Sequence, residues 1–152
     1  DKTLRVTAER LAPAGAGIIA ERRVPHDEAD LASSIKELLG LGAELVIVFG
    51  ASAIADRRDV IPAAITEIGG RIEHFGMPVD PGNLLFLGQL HGIPVIGLPG
   101  CARSPALNGA DWVMERLICG VPVTGADIAG MGVGGLLKEI PTRGRLREAK
   151  PE

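Results

Sequence analysis

The 152-residue sequence has few aromatic residues and no excess of positive charge. Its aromatic side chains are three phenylalanines and one tryptophan, and it contains no tyrosine. Sixteen basic and nineteen acidic residues give a net charge of −3. Nucleic-acid binding relies on a basic surface and, for single strands, on stacked aromatic rings. The composition therefore excludes a nucleic-acid partner as the default interpretation.

Cysteine and long apolar runs are also scarce. The two cysteines, Cys101 and Cys119, form no C-x-x-C pair. We expect free thiols in a reducing cytoplasm, with one disulfide as the alternative. The longest weakly polar run, residues 45–55, is too short to cross a bilayer, and no basic amphipathic helix stands out, so we expect no membrane partner.

Glycine and proline, in contrast, are abundant, with 21 and 11 residues. This frequency indicates many sharp turns or loops in which the backbone itself is exposed. Hydrophobic residues make up 46% and charged residues 23%, which is typical of a soluble globular domain. We expect one domain over residues 1–140 and a polar tail or linker over 141–152. No signal peptide is visible before Asp1, and we expect the sequence to be a piece of a longer protein.

Apolar spacing predicts helices that alternate with strands, and hence an α/β fold with three layers (α/β/α) and a mostly parallel sheet. The continuous apolar runs at 45–49 and 93–98 are typical of strands buried on both faces, and we expect them to be parallel neighbours. Further strands are predicted at 17–20, 71–75 and 84–87. Helices are predicted to end before Pro13, to begin at Asp27, Asp59, Ser104 and Thr124, and to carry Leu107, Ala110 and Met114 on an inner face.

The loop at residues 50–59 follows the strongest predicted strand and leads into a helix. Its small residues, Gly50, Ala51 and Ser52, let a ligand approach backbone N–H groups, and the start of the helix favours an anion. Arg57 and Arg58 are suited to phosphate or carboxylate. In the competing interpretation this is a simple turn, and Asp59 only caps the helix.

The loop at residues 99–104 repeats this arrangement after the second buried strand. Gly100 provides the turn, Arg103 the charge and Ser104 the hydroxyl, while Cys101 has no signature of a catalytic thiol. In the competing interpretation Ser104 is only a helix cap. Since both loops follow predicted neighbouring strands, we expect them to face one pocket that binds an anion.

A third segment, Asp80-Pro81-Gly82-Asn83, contains polar residues in a rigid turn. Asp80 and Asn83 are candidate ligands for a small molecule or a metal, or they close an Asx turn. We predict that segments 50–59, 80–83 and 99–104 line one cleft. The sequence has no phosphate-loop motif, and its three histidines lack the spacing of a metal site.

These segments resemble the molybdopterin-binding domains of molybdenum cofactor biosynthesis. G-A-S-A at 50–53 with R-D-V-I-P at 58–62 is similar to the family loop G-G-[TS]-G…R-D-V-T-P. L-P-G-C-A-R-S at 98–104 is similar to L-P-G-x-P-[KR]-S, and residues 80–83 resemble the Pro-Gly turn between these loops. The resemblance covers roughly residues 25–120.

The resemblance implies a small-molecule ligand, molybdopterin or the molybdenum cofactor, held by its pterin and terminal phosphate. It implies Asp59 as a catalytic acid that positions magnesium. The implied cofactor-binding residues are Gly50, Ala51, Ser52, Arg58, Asp80, Pro81, Gly82, Asn83, Pro99, Gly100, Cys101, Arg103 and Ser104.

The sequence departs from the family pattern at three positions. Ala51 and Ala53 stand where the family has glycine, and Ala102 stands where it has proline. The added Cβ atoms narrow the phosphate cradle, so the resemblance implies binding more directly than catalysis. Three functions stay open: cofactor binding within a larger cofactor-processing protein, adenylyl or molybdenum transfer, and nucleotide hydrolysis by a related fold.

The amino-acid sequence of residues 76–83 and 99–105 resembles that of a subgroup in which this domain is fused to a cytidylyltransferase-like domain. The resemblance implies such a domain as a partner. The family also has a strand before its first helix. We therefore expect the native first strand to be missing from this sequence. A sheet edge exposed in this way can pair with a neighbouring copy, so a homo-oligomer is left open.

Overall fold

The computed structural model describes residues 1–51, 54, 56–133 and 135. Within these ranges helices and strands alternate over residues 28–75, whereas the next two strands follow without a helix between them, so the predicted alternation is confirmed only in part. The elements are α1 (Lys2–Leu11), a 3-10 turn (Ala12–Ala14), α2 (Glu28–Gly40), β1 (Val46–Phe49), α3 (Val60–Glu67), β2 (Arg71–Phe75), β3 (Phe86–Leu90), β4 (Ile93–Leu98), a 3-10 turn (Gly100–Arg103), α4 (Gly109–Ile118) and α5 (Gly125–Ala129).

The four strands form one mixed sheet in the order β1-β4-β3-β2. β1 and β4 are parallel, with Phe49 opposite Leu98, so the prediction for these two strands is confirmed. The prediction of a mostly parallel sheet is wrong, because β4 pairs antiparallel with β3, and β3 with β2. The reason is the short connection between β3 and β4, where His91 and Gly92 have φ of 52° and 83°. A two-residue turn of this type joins only antiparallel strands.

Two hydrophobic clusters lie on opposite faces of the sheet. One contains Ile35 of α2 and Ile65 of α3 together with Val46, Val48 and other strand residues. The other contains side chains of α4 and α5, including Met114 and Ile128, with Leu87, Ile96 and Leu98 of the strands. Successive strand residues alternate between the clusters, as pleated backbone requires. Helices therefore cover both faces of the sheet.

The predicted strand at 17–20 is wrong. Residues 16–25 run without regular structure, and no backbone hydrogen bond joins them to β1 within the described residues. A groove of about 1060 Å³, lined by Ile18 and Ile19 on one side and Val46 and Val48 on the other, separates the segment from β1. Paired strands lie about 4.8 Å apart, so a segment across this gap has no partner.

The predicted helix start at Ser104 and Pro105 is also wrong, because α4 begins at Gly109. Asn108 caps it: its side chain accepts from the N–H of Ala110 at 3.0 Å, and Asp111 completes a capping box. Leu107 is 56% exposed and does not belong to the inner face, whereas Ala110 and Met114 are buried as predicted. β3 begins at Phe86 rather than Leu84.

The other helix boundaries agree with the prediction to within a few residues. Asp27 caps α2, and Thr124 with Asp127 forms a capping box on α5. No helix in the described part of the chain has the length and hydropathy that crossing a bilayer requires. The expected tail at 141–152 lies outside the described residues.

Candidate functional site

The loops after β1 and β4 leave the sheet side by side. Because Phe49 lies opposite Leu98, Gly50 and Pro99 follow at the same edge. Arg103 joins the two loops: its Nη2 donates to the carbonyl oxygen of Gly50 at 2.8 Å, and its Cζ lies 5.3 Å from the centre of the Phe49 ring. The half-buried guanidinium is therefore held in place at the carboxyl ends of two parallel strands, where α/β sheets bind ligands.

The loop after β4 exposes backbone and the Arg103 side chain together. Within the 3-10 turn, Ala102 is buried, whereas Gly100 and Cys101 are exposed. The N–H groups of Gly100 and Cys101 have no acceptor among the described residues. A Cβ added at Gly100 would lie 3.5 Å from Nη1 of Arg103. The glycine therefore leaves open the space beside the guanidinium, which suits an anion.

The loop after β1 is described only in part, since Ser52, Ala53 and Ala55 lie outside the described residues. Gly50 is buried and Ala51 is exposed. The side chain of Arg58 is 91% exposed and pairs with Asp56. Hydrogen bonds from the backbone N–H and the guanidinium of Arg58 lower the pKa of the Asp56 carboxyl. Arg58 is thus paired within its own loop and is not joined to Arg103 in the described contacts.

Arg57 lies apart from the strand ends. Its Cζ is 5.7 Å from the centre of the Phe75 ring on β2, which is the strand at the opposite edge of the sheet from β1. This position separates it from Arg103 by the width of the sheet. The structure therefore does not bring the two arginines of the 50–59 loop together with Arg103.

Asp59 occupies the N-cap position of α3, but its side chain makes no capping hydrogen bond to that helix. Its Oδ2 accepts instead from the backbone N–H of Asp56 at 2.9 Å. The carboxylate thus ties the end of the loop to its middle. Among the described residues, no group of three or more histidine, cysteine, aspartate or glutamate side chains is placed to hold a metal ion.

The turn at 80–83 packs against the start of α4. The carbonyl oxygen of Pro81 accepts from the N–H of Gly109 at 2.8 Å. Gly82 has φ of +128°, and a Cβ there would lie 2.9 Å from Oδ1 of Asn108, so only glycine fits this contact. Asp80 and Asn83 are exposed beside it.

Asn108 links this turn to the loop after β4. Its side chain is buried at 1% exposure, and its Nδ2 donates to Sγ of Cys101 at 3.2 Å. Contacts therefore run from the 80–83 turn through Asn108 to Cys101, and from Arg103 to Gly50. The large groove beside β1 reaches the same edge at Gly50, Ala51 and Arg103. Ser104 is half-buried, and its Oγ accepts from the N–H of Ala106 at 3.3 Å.

Sequence reasoning missed two residues that organise this site. Asn108 followed by Asp111 has the spacing of a capping box and was detectable as such. Arg10 makes four hydrogen bonds to residues 102–111 from a helix far away in sequence. No local pattern marks a contact of that kind.

Comparison with known proteins shows a similarity of fold. No protein-family model and no curated protein matches the sequence. The crystal structure of the molybdopterin biosynthesis protein MoeA from Pyrococcus horikosii matches with a TM-score of 0.60 and 23% sequence identity. The match covers 84% of this chain and 30% of that chain. This chain therefore shares its α/β fold with a part of MoeA that is less than a third of that protein.

Proposed function

We propose that this chain is a molybdopterin-binding domain that serves the biosynthesis or modification of the molybdenum cofactor within a larger cofactor-processing protein. The observation that carries the proposal is the bridge between the two loops at the ends of β1 and β4. Arg103 spans the loops through Gly50 and Phe49, and the open backbone of Gly100 lies beside its guanidinium.

The chemistry of this bridge fits the terminal phosphate of molybdopterin. A guanidinium next to free N–H groups provides charge-assisted hydrogen bonds to phosphate oxygens. Arg103 would hold the phosphate, and the N–H groups of Gly100 and Cys101 would complete its contacts. Gly50, Pro99 and Ser104 shape the two loops around it. Asp80 and Asn83, which are exposed, would accept hydrogen bonds from donors of the pterin.

Two further findings support this choice of ligand over other anions. The loop motifs at 50–62 and 98–104 resemble those of molybdopterin-binding domains. The fold is shared with a protein whose name places it in molybdopterin biosynthesis. A fused cytidylyltransferase-like domain belongs to this proposal through the same resemblance. Cytoplasmic localisation belongs to it because free thiols suit a reducing compartment, and self-association because an exposed sheet edge can pair with a second copy.

The proposal is tested by titrating the 152-residue chain with molybdopterin, adenylylated molybdopterin, ATP and CTP. We expect saturable binding of at least one molybdopterin form and none of the plain nucleotides at equal concentration. Binding of ATP or CTP alone would contradict the proposal and favour nucleotide hydrolysis by a related fold.

Replacing Arg103 with alanine identifies the site. A charge-assisted contact is worth about 1.5–3 kcal/mol, so Arg103→Ala is expected to weaken molybdopterin binding by roughly one to two orders of magnitude. Arg116→Ala is the matched control, because Arg116 is exposed on α4 and donates to the Trp112 carbonyl oxygen four residues before it. Equal affinities for the two variants would remove Arg103 from the site.

A further inference from the structure

Arg10, in the last turn of α1, contacts the segment between β4 and α4 through two nitrogens of its guanidinium and the first turn of α4 through the third. Its side chain is 11% exposed, and its Nε pairs with Oδ1 of Asp111 at 2.5 Å. Nη1 donates to the carbonyl oxygen of Ala102 at 2.7 Å. Nη2 donates to the carbonyl oxygens of Ser104 at 2.8 Å and Ala106 at 2.9 Å. We propose that Arg10 is a positioning residue for this loop; its role in the ligand site rests on the proposed function.

The three accepting carbonyls determine what Arg10 controls. Those of Ala102 and Ser104 lie on either side of Arg103, so they set the backbone from which the Arg103 side chain extends. The hydrogen bonds within the turn are local, such as those from Ala102 N–H to Pro99 and from Ser104 N–H to Cys101. Arg10 adds three bonds from a distant helix, which tie the carbonyls of Ala102, Ser104 and Ala106 to α1.

The partner carboxylate connects Arg10 to the rest of the site. Asp111 accepts from Arg10 through Oδ1 and from the backbone N–H of Asn108 through Oδ2 at 3.0 Å. Asn108 in turn donates to Cys101. Asp111 also neutralises the charge of Arg10, which separates the roles of the two arginines. Arg10 holds the loop in place. Arg103 pairs with no carboxylate among the described residues, so its positive charge is available to a ligand.

Lysine cannot replace arginine in this position. The guanidinium is a planar fork with five N–H donors, whereas an ammonium is a single point with three. Arg10→Lys retains the charge beside Asp111 and most of the buried stem, but one nitrogen cannot reach all three carbonyls and the carboxylate. This variant therefore separates the effect of the hydrogen bonds from the effect of the charge. It also keeps the test valid if Arg10→Ala fails to fold.

The experiment compares Arg10→Lys and Arg10→Ala in the 152-residue chain, with Arg5→Ala as the matched control. Arg5 lies on the same helix, but its side chain is 62% exposed, and its ion pair among the described residues is with Glu9 four residues away. Amide hydrogen exchange is measured at Ala102 and Ser104 and at Leu87 and Ile96 in the sheet. A role in overall stability would accelerate exchange in the sheet as well, whereas positioning accelerates it in the loop alone.

We expect Arg10→Lys to accelerate exchange at Ala102 and Ser104 about tenfold, with sheet exchange unchanged, and to weaken molybdopterin binding about tenfold. Loop exchange equal to that of the wild type in both Arg10 variants would overturn the positioning role. Faster loop exchange with unchanged molybdopterin affinity would overturn its role in ligand binding. If the wild type binds no molybdopterin, the proposed function fails, and the exchange data still decide whether Arg10 positions the loop.

Discussion

Single residues in the site loops differ in how firmly the protein holds them. Arg103 has a backbone acceptor in the neighbouring loop and an aromatic ring beneath its guanidinium. Arg58, at 91% exposure, has only a carboxylate two residues away. A side chain that is already ordered loses less conformational entropy when it binds a ligand. We therefore expect affinity for the proposed ligand to depend more on Arg103 than on Arg58, although both arginines lie in loops that resemble the family motifs.

A substitution at Asp59 distinguishes the binding function from the transferase alternative. Asp59→Asn retains an oxygen that can accept from the Asp56 N–H but removes the negative charge. Because the proposed ligand contacts centre on Arg103, we expect the variant to bind molybdopterin with affinity within about twofold of the wild type. Isothermal titration checks this, and thermal unfolding confirms that the variant is folded.

Turnover assays with magnesium complete this comparison. Adenylyl or molybdate transfer by the wild type that disappears in Asp59→Asn would establish the transferase alternative and a catalytic Asp59. Transfer that is absent from both proteins, with binding intact, agrees with a domain that binds the cofactor for a partner domain.

Gly97 shows how narrow the space is inside the sheet. A Cβ at this position would lie 1.8–2.7 Å from three atoms of the Phe86 ring, which is itself fully buried. Gly97→Ala is therefore expected to lower the free energy of unfolding by about 3 kcal/mol, at the upper end of overpacking costs. Gly40→Ala in α2 is the control, because no atom lies within 4 Å of the added methyl, and it should stabilise by about 0.5–1 kcal/mol. Urea unfolding of both variants measures these changes in the free energy of unfolding.

Capping boxes account for where α4 and α5 begin. Asn108 and Thr124 each accept a helix N–H, and Asp111 and Asp127 bond back to them. These boxes satisfy backbone donors that the first turn leaves open, which is worth about 1 kcal/mol each. The position of α4 matters for the site, because its cap Asn108 also contacts Cys101. A shift of the helix start to residue 105 would remove that contact.

The α5 capping box predicts an acid-sensitive contribution to stability. Hydrogen bonds from the Thr124 hydroxyl and backbone N–H lower the pKa of Asp127 below its ordinary value. A lowered folded-state pKa means that this stabilisation is complete above the unfolded-state pKa and is lost as the pH falls through the folded-state pKa. We expect the wild type to be more stable than Asp127→Asn at neutral pH, with the difference shrinking in this acid range.

Thermal unfolding at a series of pH values measures this difference. Glu115→Gln, a change to an exposed residue on α4, is the control for the general effect of removing a negative charge. A stability difference for Asp127→Asn that is constant down to strongly acidic pH would show that the carboxylate is not the stabilising group.

At the scale of the whole molecule, the sheet has an open edge at β1. Among the described residues β1 pairs with β4 alone, and its other edge faces the groove of about 1060 Å³. In a sheet covered on both faces, one residue of a strand occupies about 160 Å³, the product of strand spacing, rise and sheet separation. The groove therefore has the volume of a strand of about six residues. A further strand of that length would have room to pair with β1.

A strand supplied to this groove should protect β1. Six residues of alternating valine and threonine are joined to Asp1 by a Gly/Ser linker of about ten residues, whose mean span of about 18 Å is close to the roughly 20 Å length of a six-residue strand. We expect hydrogen exchange at Val46 and Val48 to slow at least tenfold and the melting temperature to rise, because β1 gains backbone partners and apolar cover. The control extension replaces the six strand residues with glycine and serine. Equal exchange in both extended chains would refute strand insertion.

The sequence alone determined the elements whose signal is local. Continuous apolar runs predicted β1 and β4 because strands buried on both faces need no polar residues, and Asp27 and Thr124 marked helix starts because their side chains accept helix N–H groups. The motif residues of the loops were identifiable for the same reason: glycine and arginine at fixed spacing describe backbone access and charge within a few residues.

Only the tertiary structure decided what depends on distant partners. Segment 17–20 has the composition of a strand, but a strand exists only where another backbone lies within hydrogen-bonding distance, and the groove beside β1 leaves it none. The direction of β3 followed from the two-residue turn at His91 and Gly92. The Arg10 fork joins α1 to a loop more than ninety residues away. Contacts of that range depend on how the elements pack, and no spacing within the sequence records them.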